Sequence, residues 1–309
     1  MNPLTLVYIT NRREPHFDWF ADAVHRQGGG AYEGLHLIVV DFYANDPQRR
    51  AQLAAQCKFP SFLHVPPKPT PWQGHYRLTT RDYFAASNTR NTAISYCATE
   101  WCAFADDLSL PMPGWLSTLR NATTRKGVTL GSYKKVYEMR VEQGELKSCR
   151  DDGKGEDSRW ALGKSDGPVH ATGGMFFGCS FVAPLAALLD INGFDEDCDG
   201  MGAEDYIAGL MLEHCGWPLW YDRRLLTLES EEGHYAEASV PRFGKGKGQK
   251  GKDFAMLRAV RDHGRKRAPN YFGPEGLAGM RRRILSGEPF PTAVHPQHDW
   301  YDGQPLKEI

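Results

Sequence analysis

The chain has 309 residues, 41% hydrophobic and 12% aromatic, with a formal net charge of −1, an ordinary make-up for a soluble globular protein that can bury one large core, alone or with an extension. No apolar run approaches the ~18–20 residues of a membrane span, and the opening MNPLTLVYITNRREP lacks the basic start, long apolar stretch and small-residue cleavage site of a signal peptide. Seven cysteines without a CxxC pair argue against a disulfide framework or a structural zinc site, and for reduced thiols in a cytoplasm.

LTLVYIT is apolar and β-branched, as a central parallel strand should be, and the polar NRREP after it is a strand-end loop. The spacing of Phe17, Phe20, Ala21 and Val24, closed by Gly28-Gly29-Gly30, predicts a helix over 17–26. LHLIVVDFY is a second buried strand ending at Asp41. FPSFLHVPPKPTPWQG is Pro-rich and allows loop with at most a short third strand. Residues 82–100 predict a long helix with a small, partly apolar face, and 101–105 a short strand that delivers Asp106-Asp107 at its C-terminal end. Such alternation predicts an open α/β sheet, in which ligands bind beyond the carboxyl ends of the strands.

In the second half, 128–140 and 145–149 form a strand-and-hairpin excursion, followed by a charged, Gly-rich loop over 151–164. GGMFFGCSFVAP predicts a buried strand pair, and 184–190 a short helix. A helix over 202–215 carries Glu204 and Asp205 in its first turn, where acidic side chains also suit the helix dipole. PLWYDRRLLTLES is a further strand leading to EEGHY. Beyond it lie a flexible basic loop (GKGKGQKGK), a basic helix over 253–263 and a Pro-rich tail, with no internal repeat anywhere. Residues 240–285 hold thirteen Lys and Arg against three acids, a net of +10 that leaves −11 for the remainder, so an anionic partner is expected here.

The two acidic pairs, Asp106-Asp107 and Glu204-Asp205, each follow a segment that ends a strand or opens a helix. One suits a divalent metal holding a diphosphate and the other a general base, a combination that suggests sugar transfer from a nucleotide donor. The order of TNRRE after a strand, VVDF, SNTRNTA, FADDLSLPMPGWL, GGMFF, NGFDED, GMGAEDYIAGL and GHY resembles nucleotide-sugar glycosyltransferases of the GT-A fold over residues 4 to 235. It is most similar to the branch of galactosyltransferases and polypeptide N-acetylgalactosaminyltransferases. The resemblance implies a Rossmann-like, mostly parallel open sheet flanked by helices. It divides the chain into a catalytic domain over 1–240, with nucleotide-binding (1–120) and acceptor (121–240) halves, and a basic extension over 241–309.

By the same resemblance Asp107 holds the metal and Asp106 the ribose or sugar, although the spelling Ala105-Asp106-Asp107-Leu108 departs from a strict DxD. His234 in GHY matches a downstream metal ligand, and imidazole with carboxylate suits Mn²⁺ better than Mg²⁺. In GMGAEDYIAGL, Asp205 matches a general base that removes the acceptor proton during inversion, and Glu204 a partner of the acceptor or donor sugar; related retaining enzymes carry a similar element without a true base. Thr10, Arg12, Asp41, Arg90 and Asn91 fall to nucleotide recognition, and Gly173-Gly174 to close backbone approach of a sugar. Lys245 and Lys247 belong to a lid that closes over the donor diphosphate, to a grip on a polyanionic acceptor, or to both. The implied donor is a nucleoside-diphosphate sugar, with UDP as the expected nucleotide. The acceptor is expected to be anionic: a hydroxymethylated base in DNA, as known among phage enzymes of this broad chemistry, or else a glycan or cell-surface polysaccharide. Two other classes compete. Sugar-phosphate nucleotidyl transfer also uses paired carboxylates, but the first strand lacks a Gly-rich phosphate signature followed by Lys. A non-catalytic nucleic-acid-binding protein would explain the basic stretch and leave both acidic pairs unexplained.

Overall fold

The computed structural model describes residues 2–70, 85–162, 167–199, 203–232, 264–269 and 275–290. The first strand, β1 (Leu4–Thr10), is buried along its whole length. Leu4, Leu6 and Tyr8 join an apolar cluster with α1 (Phe17–Gly28), while Val7 and Ile9 join a second cluster on the other face. Period-two alternation with both faces apolar is what a helix-covered parallel strand requires. Phe17, Phe20, Ala21 and Val24 supply the buried stripe of α1, and Gly29 closes that helix in the left-handed conformation at φ 57°.

The chain continues through β2 (Leu35–Asp41), α2 (Pro47–Gln56), β3 (Phe62–Val65), α3 (Ala86–Tyr96), β4 (Trp101–Asp106), β5 (Ser109–Pro111) and α4 (Trp115–Ala122). Then come the long β6 (Val128–Glu142), β7 (Glu145–Arg150), β8 (Val169–His170), β9 (Ser180–Pro184), α5 (Leu185–Asp190), α6 (Glu204–His214) and β10 (Leu219–Ser230), with a last helix α7 (Gly276–Leu285). The sheet runs β3-β2-β1-β4-β9-β6-β10-β5. β3, β2, β1 and β4 are parallel neighbours, β9 is antiparallel between β4 and β6, and β6 and β10 are again parallel. Trp115, Leu116 and Leu119 of α4 cover one face beside α1, while α3, α5, α6 and α7 supply the other. Ile9 of β1 pairs with Asp106 of β4, so the polar ends of both strands open on the same edge. That edge, where the strand order turns, is where open α/β sheets place their ligand crevice.

Four departures from the sequence expectations have physical causes. GGMFFGCSFVAP forms one 3-10 turn (Gly173–Met175) and one strand, β9, in place of a strand pair. The turn is pressed against α6: a Cβ at Gly173 would lie 2.5 Å from the Gly209 carbonyl oxygen. α2 shows no apolar stripe because its buried side is Leu53 with Arg49, yet Asp46 caps it and Pro47 opens it. The short β5 and α4 follow the acidic turn, where the sequence shows only the apolar run SLPMPGWL. Finally, the C-terminal stretch is not a separate extension in its described part. Leu277, Met280 and Ile284, spaced as a helix face, join Ala268 in the α3-side core. The expected basic loop and the 253–263 helix lie outside the described residues. No described helix is long and apolar enough to cross a membrane, and all seven cysteines are free thiols.

Candidate active site

β4 ends in Asp106, and the chain turns at once through Asp107 and Leu108. Leu108 is buried and holds φ 58°, a left-handed conformation that costs a non-glycine residue of order 1 kcal/mol and needs outside support. Support comes from both sides: Leu108 N–H donates to the Pro15 carbonyl at 3.0 Å, and its carbonyl accepts from Ser230 N–H at 3.1 Å. The two consecutive carboxylates thereby meet different partners. Asp107 accepts from the Thr10 hydroxyl at 2.7 Å and from Arg12 Nε at 3.1 Å. Asp106 accepts from Arg90 Nη2 at 3.1 Å.

Thr10, Arg12 and Asp107 are therefore brought together, with Asp106 beside them on Arg90. Asp41 lies at the neighbouring strand end, paired with Thr10. It is fully buried, accepting from Arg49 Nε at 2.6 Å and from Tyr43 N–H at 2.9 Å, with His64 Nε2 at 3.1 Å. Arg49 in turn donates to the carbonyls of Arg12 and Arg13 at 2.7 and 2.8 Å. Asp41 thus holds the loop that carries Arg12, and its oxygens are committed to protein donors where a nucleoside contact was expected.

α3 explains the polar motif SNTRNTA. All ten residues from Ala86 to Ser95 are buried, so their polar groups need partners inside the protein. Asp199 caps the helix from a distance, its two oxygens accepting from Ser87 and Asn88 N–H at 2.8 and 3.0 Å. Asn91 donates to the Phe194 carbonyl and to Glu196, and accepts from Phe194 N–H at 2.8 Å. Its amide fastens the NGFDED loop and is sealed from the crevice, so the expected nucleotide contact is replaced by an internal one. Arg90, 2% exposed, donates through Nη1 to Glu204 at 2.8 Å and through Nη2 to Asp106 and, at 3.4 Å, to the Gly178 carbonyl. Phe194 lies under the guanidinium, 5.3 Å from its ring centroid. The expected phosphate ligand is a buried internal cation.

Glu204 and Asp205 open α6, after Ala203 at φ 66°. Asp205 Oδ2 accepts from Gly178 N–H at 3.0 Å and Oδ1 from Tyr206 N–H at 2.7 Å. Burial, with the neighbouring Glu204 charge, pushes the Asp205 carboxyl up to about 6, against the pull of Arg90. Burial also pushes Asp106 to about 6, opposed by Arg90 and helped by Asp107 and Glu204. Gly174 packs beside the Tyr206 ring, which a Cβ there would approach to 3.1 Å. The Gly-Gly pair therefore admits α6, in place of the close sugar approach expected of it.

One acid escaped the sequence reasoning. Glu229, near the end of β10, has its Oε1 sealed from solvent without a hydrogen-bond partner. Burial, with the charges of Asp106, Asp107 and Glu231, pushes its carboxyl up to about 8, against Lys135. The signal was present: an acid at the carboxyl end of a strand, the same logic that singled out Asp106. Among the described residues no three His, Cys, Asp or Glu side chains form a metal-holding group by themselves. His234, Lys245 and Lys247 lie outside the described residues.

No protein-family model and no curated protein matches this sequence. Among solved structures the chain is similar to the mannosyltransferase PcManGT from Pyrobaculum calidifontis, determined in complex with GDP-Man and Mn2+. The two are 16% identical with a TM-score of 0.51, the match covering 93% of this chain and 74% of that one. The fold is thus a GT-A-type, Rossmann-like α/β sheet, mostly parallel and flanked by helices.

Proposed function

We propose that this protein is a metal-dependent glycosyltransferase that moves a sugar from a nucleoside-diphosphate donor to an acceptor hydroxyl. One observation carries the proposal: Asp106 of the strand-end pair and Glu204 of the helix-start pair, about a hundred residues apart in sequence, share the Arg90 guanidinium, which brings their neighbours Asp107 and Asp205 to the same edge of the sheet. A solvated turn or a helix start chosen for its dipole would not bring Asp106 and Glu204 to one cation.

Asp107 would hold the divalent ion, with His234 assigned as its second ligand, a carboxylate–imidazole pair that suits Mn²⁺; the sealed, unpartnered Oε1 of Glu229, whose carboxyl feels the charges of Asp106 and Asp107, supports a cation here. When bound, the ion supplies Lewis-acid stabilisation of the diphosphate leaving group. Thr10 and Arg12 orient Asp107. Asp205, fixed by two backbone N–H groups, takes the proton of the acceptor hydroxyl at its carboxylate, which fits a single displacement with inversion. Glu204, held beside it by Arg90, is assigned to a sugar hydroxyl, and Lys245 and Lys247 to the donor diphosphate. The galactosyltransferase-like GMGAED element supports a UDP-sugar, whereas the similar mannosyltransferase was solved with GDP-Man; both nucleotides belong in the test. The basic 240–285 stretch supports an anionic acceptor, with hydroxymethylated DNA as the first to try. In its described part, however, Arg281 donates to the Cys97 carbonyl, and Arg282 and Arg283 pair with Glu275 and Glu288.

The decisive experiment measures nucleoside-diphosphate release from a panel of UDP- and GDP-hexoses, with Mn²⁺ or with chelator, for the wild type and for Asp107→Ala. Mn²⁺-dependent release that the substitution abolishes is expected. Turnover and metal dependence left untouched by Asp107→Ala would refute the assignment.

A further inference from the structure

A single buried guanidinium serves two carboxylates that belong to opposite halves of the site. Arg90 Nη2 reaches Asp106, next to the metal-side Asp107, and Nη1 reaches Glu204, next to the base Asp205. The same Nη2 leans on the Gly178 carbonyl, and the Gly178 N–H is one of the two donors that orient Asp205. Both sides of one residue, Gly178, thus connect the guanidinium to the base. Arg90 Nε is buried without a hydrogen-bond partner, so its two Nη atoms anchor it, with the Phe194 ring beneath. Gly178 has no room for anything larger: a Cβ there would stand 2.5 Å from Nη2 and 2.9 Å from Cζ.

We propose that Arg90 is a positioning residue that ties the donor side of the site to the acceptor side, holding the Asp106-Asp107 turn and the Glu204-Asp205 helix start in one fixed relation through its bidentate span and the Gly178 peptide. It acts through those carboxylates and does not touch the donor phosphates. A lysine cannot replace it, because an ammonium is a point charge without the planar fork that reaches two carboxylates at once. Arg90 also holds the loop between the 3-10 turn and β9 against α6, so losing it lets the base drift relative to the donor while each half remains formed. A misplacement of about 1 Å at a reacting group costs about a hundredfold in rate.

The inference rests on the proposed sugar transfer, so the wild type is measured first with GDP-mannose and UDP-glucose plus Mn²⁺, reading nucleoside-diphosphate release and donor Kd. If neither these two nor any other donor of the UDP- and GDP-hexose panel turns over, the transferase proposal and the coupling fall together. If the wild type turns over, Arg90→Lys should lower kcat about a hundredfold while donor Kd stays within about threefold of wild type. Arg90→Ala should recover kcat when guanidinium is added at millimolar concentration, which a purely structural loss would not do. Gly178→Ala keeps the cation and displaces it, so it should lower kcat about tenfold or more at unchanged donor Kd; it decides the matter if the Arg90 variants do not fold. Loss of donor affinity at unchanged kcat would make Arg90 a phosphate ligand and overturn the coupling. Retained kcat in Arg90→Lys and Gly178→Ala would overturn it as well, leaving the transferase assignment standing.

Discussion

Asp205→Asn is the sharpest perturbation of the proposed chemistry because it keeps the shape and removes the base. In the wild type each carboxylate oxygen accepts one backbone N–H, from Gly178 at 3.0 Å and from Tyr206 at 2.7 Å. Asparagine offers one acceptor oxygen, so one of those N–H groups must face an amide NH₂. Leaving such a buried donor unpaired costs about 1–3 kcal/mol, which thermal unfolding will read as a modest loss of stability. The catalytic loss is larger and separate: removing a general base costs about 10²–10⁴ in rate. Donor affinity should be unchanged, since Asp107 and its partners Thr10 and Arg12 are untouched. The pH profile gives an independent check. With its carboxyl pushed up to about 6 by burial and Glu204, Asp205 is the ionised base above that pH, so the wild-type rate should fall tenfold per unit below it. Asp106 also lies near 6, so the rates are compared at pH 8, where both carboxyls are ionised and Asp205→Asn should still show the full general-base loss. A variant rate at pH 8 close to that of the wild type, or a Kd that worsens in step with kcat, would refute the role.

Glu229→Gln should raise the melting temperature at pH 8 in chelator. The wild-type carboxyl, raised from 4.5 to about 8, contributes stability that is full below pH 4.5 and is lost as pH rises through about 8, and the variant should flatten that slope; an unchanged slope would count against it. Gly173→Ala should destabilise the fold by about 1–3 kcal/mol, because its Cβ would meet backbone atoms of Gly209 and Leu210 within 2.7 Å; denaturant unfolding measures this, and a neutral result would mean α6 can retreat. Asp199→Ala removes both acceptors that cap α3 and should cost about 1–2 kcal/mol, with faster amide exchange at Ser87 and Asn88 as its local signature.

The strand-end acids were legible in the sequence because the rule that exposes them is topological: polar residues at the carboxyl ends of parallel strands face the crevice. Asp106, Asp107, Thr10 and Arg12 follow that rule, and so does Glu229, whose strand is interrupted by Asp222, Arg223 and Arg224 and reads less cleanly. The same rule misled at Asp41, because a second polar layer is invisible in one dimension: Arg49, eight residues on, turns that carboxylate into a support for the Arg12 loop. SNTRNTA is the harder case. A helix with so small an apolar face is expected at the surface, yet ten of the eleven residues of α3 are buried, because Asp195, Glu196 and Asp199, about a hundred residues downstream, supply what its polar groups need. Nothing local in either segment announces the other. The C-terminal helix was hidden for the opposite reason: its arginines dominate the composition and mask Leu277, Met280 and Ile284.

The polar burial of α3 also bears on why the two acidic pairs can coexist. Among the described residues, Asp106, Glu204 and Asp205 all face the one buried guanidinium of Arg90, three carboxylates to one cation. Such an excess is costly in a covered site, and part of that cost is visible in the raised carboxyls of Asp106, Asp205 and Glu229. An arrangement selected for stability alone would delete an acid or add a cation. Retaining the deficit makes sense if a cation arrives with the substrate, because the protein then binds metal and diphosphate best as a pair: the ion offsets the carboxylates, and the diphosphate offsets the ion. The order of addition follows. Metal alone should bind weakly to the free protein, donor alone more weakly still, and each should strengthen the other, a reciprocity that calorimetric titration of Mn²⁺ with and without nucleoside diphosphate will reveal. Independent, non-cooperative binding of the two would mean that the excess of carboxylates serves some other end.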